Sequence, residues 1–345
     1  MPDRVDIEAV RRANPLIETI ERLTGQQGKV VNHGWSLFFC PFHDDGAKRS
    51  FNVNPEKDHW RCFGDCNTGG DVVDFVMKFR GVDFLTAVKE LGAPELSQED
   101  RERWAAKRHA DELEAAERMA RRRELWRSAQ PWEALHKQLG AEQRQWYLRR
   151  GIPDDWQDFW CLGWTPQLWD LGPAFSIPFW NTEHECQTMQ YRLQVESDRG
   201  KYRFEPDLGS AAFIARPDMP LTGQILVVEG AFKAMVAHIK GTHCKLQVIG
   251  LPSKVSDGGI CERLRQAERV WILGDPDAWD RPKNAPKDWL PAPIRWAQCI
   301  GQQARIIRHP TKIDDALLAG WLTSQGLRDI LRLQARTAES YLESY

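Results

Sequence analysis

Residues 38–75 read FFCPFHDDGAKRSFNVNPEKDHWRCFGDCNTGGDVVDF. Cys40 and His43 stand with two residues between them, Cys62 and Cys66 with three, and the 18 residues from 44 to 61 separate the pairs. Two short-range ligand pairs joined by a hairpin-length loop are what a tetrahedral zinc site needs. The intervening SFNVNPEKDHWRC predicts two strands joined by a turn at Asn54 to Asp58, returning Cys62 towards Cys40. A zinc ribbon is therefore expected, with Cys40, His43, Cys62 and Cys66 as ligands. Four protein ligands leave no open coordination position, so the Zn²⁺ is expected to be structural. The rival readings fit less well. A disulfide leaves His43 without a role, a redox pair has two residues between its cysteines, and a Cys–His nucleophile leaves two cysteines unused.

Around this cluster, the 345 residues give room for two or three hydrophobic cores. Lys and Arg number 47 and Asp and Glu 49, a formal net charge of −2. No global basic character advertises nucleic acid, although a balanced total can hold a basic groove beside an acidic centre. The opening MPDRVDIEAV has no apolar signal core, and no stretch approaches the ~20 apolar residues of a membrane span. A cytoplasmic protein with no membrane partner is expected. Most of the 16 tryptophans are expected to serve packing.

Composition divides the chain into five segments. Residues 1–95 combine an amphipathic helix (IEAVRRANPLIETIERL), the Cys/His cluster and a second helical stretch from Gly70 to Gly92. Residues 96–129 are helix formers of dense mixed charge, and from 97 to 128 they lack Gly and Pro, predicting a helical linker about 45 Å long. Residues 130–222 begin helical (PWEALHKQLGAEQRQWYLRRG) and continue as short strands, FSIPFWN, CQTMQYRLQV and KYRFEP. Residues 223–320 alternate strands (QILVVEG, KLQVIGL, VWILGDPD, ARIIRHP) with helices (AFKAMVAHIKG, GICERLRQAE, APIRWAQCIGQQ), the mark of a mainly parallel sheet. A helical tail, 321–345, follows.

The N-terminal text resembles the zinc-binding domain of bacterial DnaG-type DNA primases. The shared features are CPFH, a Ser-Phe-x-Val strand, Cys-Phe-Gly-x-Cys, Gly-Gly-Asp and an apolar helix, together covering most of residues 1–95. One departure is the three-residue spacer Phe63-Gly64-Asp65, where the family usually has two residues.

A second signal lies at strand ends. ILVVEG sets Glu229 where a buried strand runs out, and VWILGDPD sets Asp275 and Asp277 at the end of another. Ligands of open parallel sheets bind at such carboxyl ends, and converging carboxylates call for hard divalent cations such as Mg²⁺ or Mn²⁺. Taken singly, each acid serves equally as a turn former or helix cap. Together, VVEG followed by Asp-x-Asp after the third strand resembles the Toprim centre of primases, some topoisomerases and certain nucleases. The resemblance implies acid/base or metal-holding work for Glu229 and metal binding for Asp275 and Asp277. It implies a looser second pair at Asp314 and Asp315, for which helix capping competes.

WYLRRGIPDDWQDFWCLGW resembles the helical entry to the primase polymerase domain, which often carries a Tyr-Leu-x-x-Arg-Gly pattern ahead of a Leu-Gly-aromatic. QYRLQ and GKYRFEP resemble its basic strand motifs, implying that Arg192, Lys201 and Arg203 face phosphates, with a solvated strand face as the competing reading. Lys233 is a further candidate for phosphate. Phe204 and Glu205 depart from the family's Asn-Ser. Trp60, Phe63, Lys48 and Arg49 are the candidate single-strand contacts of the ribbon.

The expectation is thus a multidomain α+β and α/β chain: zinc ribbon, helical linker and Toprim-type polymerase core. It would synthesise RNA primers on single-stranded DNA from nucleoside triphosphates, with a replicative helicase as a separate candidate partner. The short helical tail leaves no room for a helicase-interaction domain, as in compact primases of phages, plasmids or integrated elements. Two alternatives stay open: a Toprim nuclease or strand-cleaving enzyme, and a catalytically decayed nucleic-acid-binding protein. The Ala-Trp-Asp-Arg-Pro run after Asp277, where primases tend to have Ala-Gly, keeps the second in play.

Overall fold

The computed structural model describes residues 7–31, 35–43, 49–63, 68–92, 98–195, 200–241, 246–254, 256–281 and 289–343. Two compact units result: Met1–Ala116, and a second made of Glu117–Arg281 and Lys287–Tyr345.

The first unit opens with two helices, α1 (Ile7–Ala13) and α2 (Leu16–Thr24), where the sequence suggests one. Pro15 divides them: it disfavours helical backbone at Asn14, whose side-chain amide donates instead to the Val10 and Leu91 carbonyls. Strands β1 (Lys29–Val30), β2 (Ser36–Phe38), β3 (Phe51–Asn54), β4 (His59–Cys62) and β5 (Gly69–Gly70) form an antiparallel sheet in chain order. The β3–β4 hairpin turns where expected. Helix α3 (Val72–Arg80) follows. Asp71 caps it, accepting from the amides of Val73 and Asp74, while the Asp74 carboxylate accepts from the Asp71 amide. Gly81 ends it in left-handed backbone, and α4 (Phe84–Glu90) begins under an Asp83 cap. Phe38, Phe51, Trp60, Phe75 and Val76 make the core between sheet and helix.

Helix α5 (Gln98–Ala129) runs for 32 residues, as its composition predicts. Helices α6 (Pro131–His136), α7 (Ala141–Leu148) and α8 (Asp154–Phe159) then lead to an antiparallel sheet of β6 (Gly163–Thr165), β7 (Ala174–Trp180), β8 (Cys186–Leu193) and β9 (Tyr202–Phe204). Strand β10 (Phe213–Ile214) leaves this region to become the antiparallel edge of the next sheet. That sheet has the order β10-β12-β11-β13-β14, from β11 (Gln224–Glu229), β12 (Gln247–Leu251), β13 (Arg269–Gly274) and β14 (Ala304–Arg308). Its last four strands are parallel. Helices α9 (Ala231–Val236), α10 (Ala292–Ile300), α11 (Ile313–Leu318), α12 (Ser324–Leu333) and α13 (Ala338–Leu342) complete the chain.

The uninterrupted apolar strands follow from burial on both faces. Leu226, Val228, Val248, Leu273 and Ile307 pack into one core with α9, α11 and α12. Ile225, Val227, Ile249, Ile272 and Ile306 pack into the other with Ile294, Trp296 and Ile300 of α10. The boundaries drawn at 130–222, 223–320 and 321–345 do not separate compact bodies. Tyr147, Phe175 and Phe213 share one core with Leu226, Leu327 and Leu331. The expected helix GICERLRQAE shrinks to a 3₁₀ turn, Arg263–Gln266. Asp257 accepts from the Gly259 and Cys261 amides and ties the preceding segment into a turn. No helix among the described residues is long and apolar enough to cross a membrane.

Candidate active site and metal centres

In the first unit, Cys40 follows β2, His43 lies in the succeeding turn and Cys62 ends β4. One ligand atom from each lies within 4.8 Å of the others. The Cys62 thiol is 3.8 Å from His43 Nδ1. Cys40 and Cys62 are not disulfide-bonded, and thiols with an imidazole are a zinc donor set. Cys66, the expected fourth ligand, and Lys48 lie outside the described residues.

The candidate DNA contacts of the ribbon separate by strand alternation. Trp60 is 1% exposed, stacked on Phe51 with ring centroids 4.9 Å apart. It donates from Nε1 to the Asp71 carbonyl. Its expected stacking on nucleic acid is therefore corrected to core packing, since it shares the inward face of β4 with Cys62. Arg49 is also committed internally. It donates to the Gln27 and Leu37 carbonyls and lies 4.6 Å over the Phe39 ring. Phe63 is 61% exposed, with the Arg61 guanidinium 5.5 Å from its ring.

In the second unit, β11 and β13 are adjacent and parallel, so Glu229 at one strand end and Asp275 just past the other come together. Gly230 adopts φ +83° at the turn out of β11, its amide donating to the Leu251 carbonyl. A Cβ on Gly250 would lie 2.5 Å from the Gly230 carbonyl oxygen. Two glycines thus allow the backbone contact that seats the Glu229 turn. Carboxylate oxygens of Glu229, Asp275 and Asp277 lie within 4.8 Å of one another.

Asp275 is 3% exposed and occupies the cap position of the 3₁₀ turn Pro276–Trp279, yet its side chain makes no capping hydrogen bond. Its Oδ2 accepts instead from Lys233 Nζ at 2.9 Å. Asp275 Oδ1 and Glu229 Oε2 are buried and accept no hydrogen bond, leaving two oxygens that suit a hard cation. Burial and then the Asp275 charge push the Glu229 carboxyl up from its ordinary range. At Asp277 partial burial acts upward, but the Lys254 ammonium, 2.5 Å from Oδ2, outweighs it and holds the carboxyl low. The Lys254 carbonyl accepts in turn from Arg295. Ala278 and the unexpected Trp279 are buried, with Trp279 5.2 Å from Tyr341, so this departure anchors the turn that carries Asp277.

Asp314 and Asp315 sit in the first turn of α11, where negative charge favours the helix. Neither belongs to the three-acid group. Asp314 has a buried, unbonded Oδ1 and feels the Lys233 charge, whereas Asp315 is exposed. Lys233, expected to reach phosphate, is bonded to Asp275 on the neighbouring strand end.

The basic strand residues also divide. Arg192 opposes Tyr202 across β8 and β9, while Arg203 opposes Tyr191, so the two arginines project from opposite sheet faces. Arg203 folds back onto the Gly200 and Tyr202 carbonyls, and Lys201 is exposed. By this register Arg192 and Arg203 do not share a sheet face. Arg192 instead lies 4.9 Å from the Trp146 ring, which Arg150 approaches to 4.1 Å. Arg150 also lies 5.6 Å from Phe232, the neighbour of Lys233, and its Nε is buried without a partner. Burial and the Arg192 charge both depress the Arg150 pKa, the signature of a cation pair that an anion would relieve. Arg150 is the second arginine of the YLRRG text itself. Lys254, in the loop after β12, carries no sequence signal of its own.

Residues 6–103 match the family described as CHC2 zinc finger, and this N-terminal part is a structural-zinc ribbon. A DNA primase of Streptomyces coelicolor is 32% identical over 292 residues, spanning 71% of this chain and 44% of that protein. The DNA primase of Geobacillus stearothermophilus is 38% identical over 88 residues, 25% of this chain and 14% of its own. The chain is a relative of the bacterial DnaG-type primases. It spans less than half the length of these curated relatives. Among solved structures, the zinc-binding and RNA polymerase domains of the Aquifex aeolicus primase align over 99% of this chain and 90% of theirs, at 19% identity and a TM-score of 0.47.

Proposed function

We propose that this chain is a DNA-dependent RNA primase, joining ribonucleotides on a single-stranded DNA template with release of pyrophosphate. The observation that carries this reading is the convergence of Glu229, Asp275 and Asp277, with two buried oxygens unspent on protein partners. These three residues would hold Mg²⁺ or Mn²⁺. A divalent ion there, when bound, supplies positive charge for the attacking 3′-oxygen and the phosphate. Arg150 and Arg192, backed by Trp146, offer a nearby cationic face for template or nucleotide phosphate. In the ribbon, Phe63 and Arg61 offer an exposed aromatic with a guanidinium for single-stranded DNA. A replicative helicase as separate partner, and work in the cytoplasm, accord with a replication role.

The test is synthesis from labelled ribonucleotides on unprimed single-stranded DNA, with Mg²⁺ or Mn²⁺. Short RNA products are expected. Template cleavage without synthesis would replace this reading by the nuclease one. Arg150→Ala is expected to raise the KM for template or nucleotide about tenfold, the loss of one charge-assisted hydrogen bond. Unchanged KM values for both would remove Arg150 from the binding surface.

A further inference from the structure

We infer that Arg308, laid against the ring of Trp279, binds the terminal phosphates of the incoming nucleoside triphosphate and the pyrophosphate that leaves. This rests on the primase reading above and gives that site a residue for its leaving group.

Arg308 ends β14, in parallel register with Gly274, the residue before Asp275. It therefore stands beside the acids at the carboxyl ends of the strands, where ligands of open parallel sheets bind. Two residues after Ile306, it shares that residue's face of the sheet, the one covered by α10. There its guanidinium carbon lies 5.2 Å from the centre of the Trp279 ring. Trp279 is itself buried, on the turn that carries Asp277. An arginine laid on a fixed ring keeps its fork of donors oriented for phosphate. Arg308 is exposed, and among the described residues no carboxylate or carbonyl accepts from its side chain. Arg295 of α10, by contrast, is spent on the Leu290 and Lys254 carbonyls.

The opposite face of the same sheet carries the other cationic group. Arg150 lies against Phe232 of α9, in the core that holds Leu226, Val228 and Leu273. The strand-end acids thus have Arg150 towards the α9 face and Arg308 towards the α10 face. In phosphoryl transfer the attacking oxygen and the departing group lie on opposite sides of the phosphorus, so anion-binding groups are needed on both. Charge assigns the departing pyrophosphate to Arg308. Lys254 and Lys312 both act on Asp277, the most exposed of the three acids, and Trp279 brings Arg308 to the same turn. Three cations about one turn suit pyrophosphate, which carries more charge than a strand phosphate. Arg150 and Arg192 leave a two-cation face for the single charges of a strand.

The test is binding of inorganic pyrophosphate, with Mn²⁺ present, to the zinc-loaded full chain by calorimetry, beside single-stranded DNA binding by fluorescence anisotropy. Arg308→Ala is expected to weaken pyrophosphate binding about tenfold, the loss of a charge-assisted hydrogen bond, and to change the DNA Kd by less than about twofold. Arg308→Lys, which keeps the charge but not the fork, is expected to recover part of the loss. Arg150→Ala is expected to weaken DNA binding and spare pyrophosphate. An Arg308→Ala chain that binds pyrophosphate as the parent does, or that loses DNA as much as pyrophosphate, would overturn the inference, as would a parent that binds none. A larger loss of pyrophosphate in Arg150→Ala would also overturn it, by putting the leaving group on the α9 face. These titrations need no turnover. Primer synthesis by the parent, measured separately, decides the primase reading, so the two fail independently.

Discussion

Asp275→Asn is expected to reduce primer synthesis by about 10³-fold, on the order of 4 kcal/mol of transition-state stabilisation, while leaving the fold intact. Asparagine has nearly the same shape, and the site is buried beside β13, so packing is conserved. What changes is charge. The buried Oδ1, which accepts no hydrogen bond, loses its affinity for a cation, and Lys233 loses its 2.9 Å partner. The freed ammonium then faces Glu229 and Asp314 and competes for the carboxylates that remain. Asp277→Asn is expected to cost less, since Asp277 is 55% exposed and solvent can compensate the lost charge. Product yield per template, with melting temperature as the folding control, measures both. An Asp275→Asn protein with more than a tenth of parental synthesis would remove the acid cluster from the chemistry.

How much of this was legible in the sequence depended on the range of the interactions. The ribbon hairpin was readable because its signals are local: ligand spacing, a turn at Asn54 to Asp58 and alternating strands. The acids Glu229 and Asp275 were readable because they end uninterrupted apolar strands, and apolar continuity marks a strand buried on both faces. Their adjacency follows from β11 and β13 pairing directly, which the strands do not announce individually. The lysines were illegible. Nothing in AFKAMV says that Lys233 turns to Asp275, and nothing in LPSK says that Lys254 reaches Asp277, because each contact joins segments that only the sheet order brings together. The faces of the basic strand residues were unreadable for another reason. QYRLQ and KYRFEP each contain an arginine, but the β8–β9 register that puts Arg192 and Arg203 on opposite faces depends on the loop between them. Arg150 was in plain view, and only its approach to the Trp146 ring beside Arg192 gives it weight. Trp60 could have been placed correctly. Two residues before a zinc-ligand cysteine on one strand, it must share that cysteine's inward face.

Trp60→Ala accordingly should act on stability rather than on recognition. The expected loss is about 3–5 kcal/mol, as for other large aromatic truncations in a core, enough to unfold most of a ribbon of this size. The ring stacks on Phe51, lies 5.4 Å from Phe42 and 6.0 Å from Phe75, and its indole N–H ends on the Asp71 carbonyl. Each contact leads to a different support of the domain. Phe51 belongs to β3, Phe42 lies between Cys40 and His43, and Asp71 is the cap of α3. A cavity here therefore loosens the zinc loop and the helix start together, and zinc should be lost to a chelator faster than from the parent. Phe63→Ala supplies the contrast. With its ring mostly in solvent, it should change stability by no more than about 0.5 kcal/mol. It should nevertheless weaken single-stranded DNA binding by about tenfold, the worth of one stacked base. Thermal unfolding, zinc release and DNA titration on both variants separate the two roles. A Trp60→Ala chain that keeps its zinc and its melting temperature but loses DNA would return Trp60 to the binding face, against its burial.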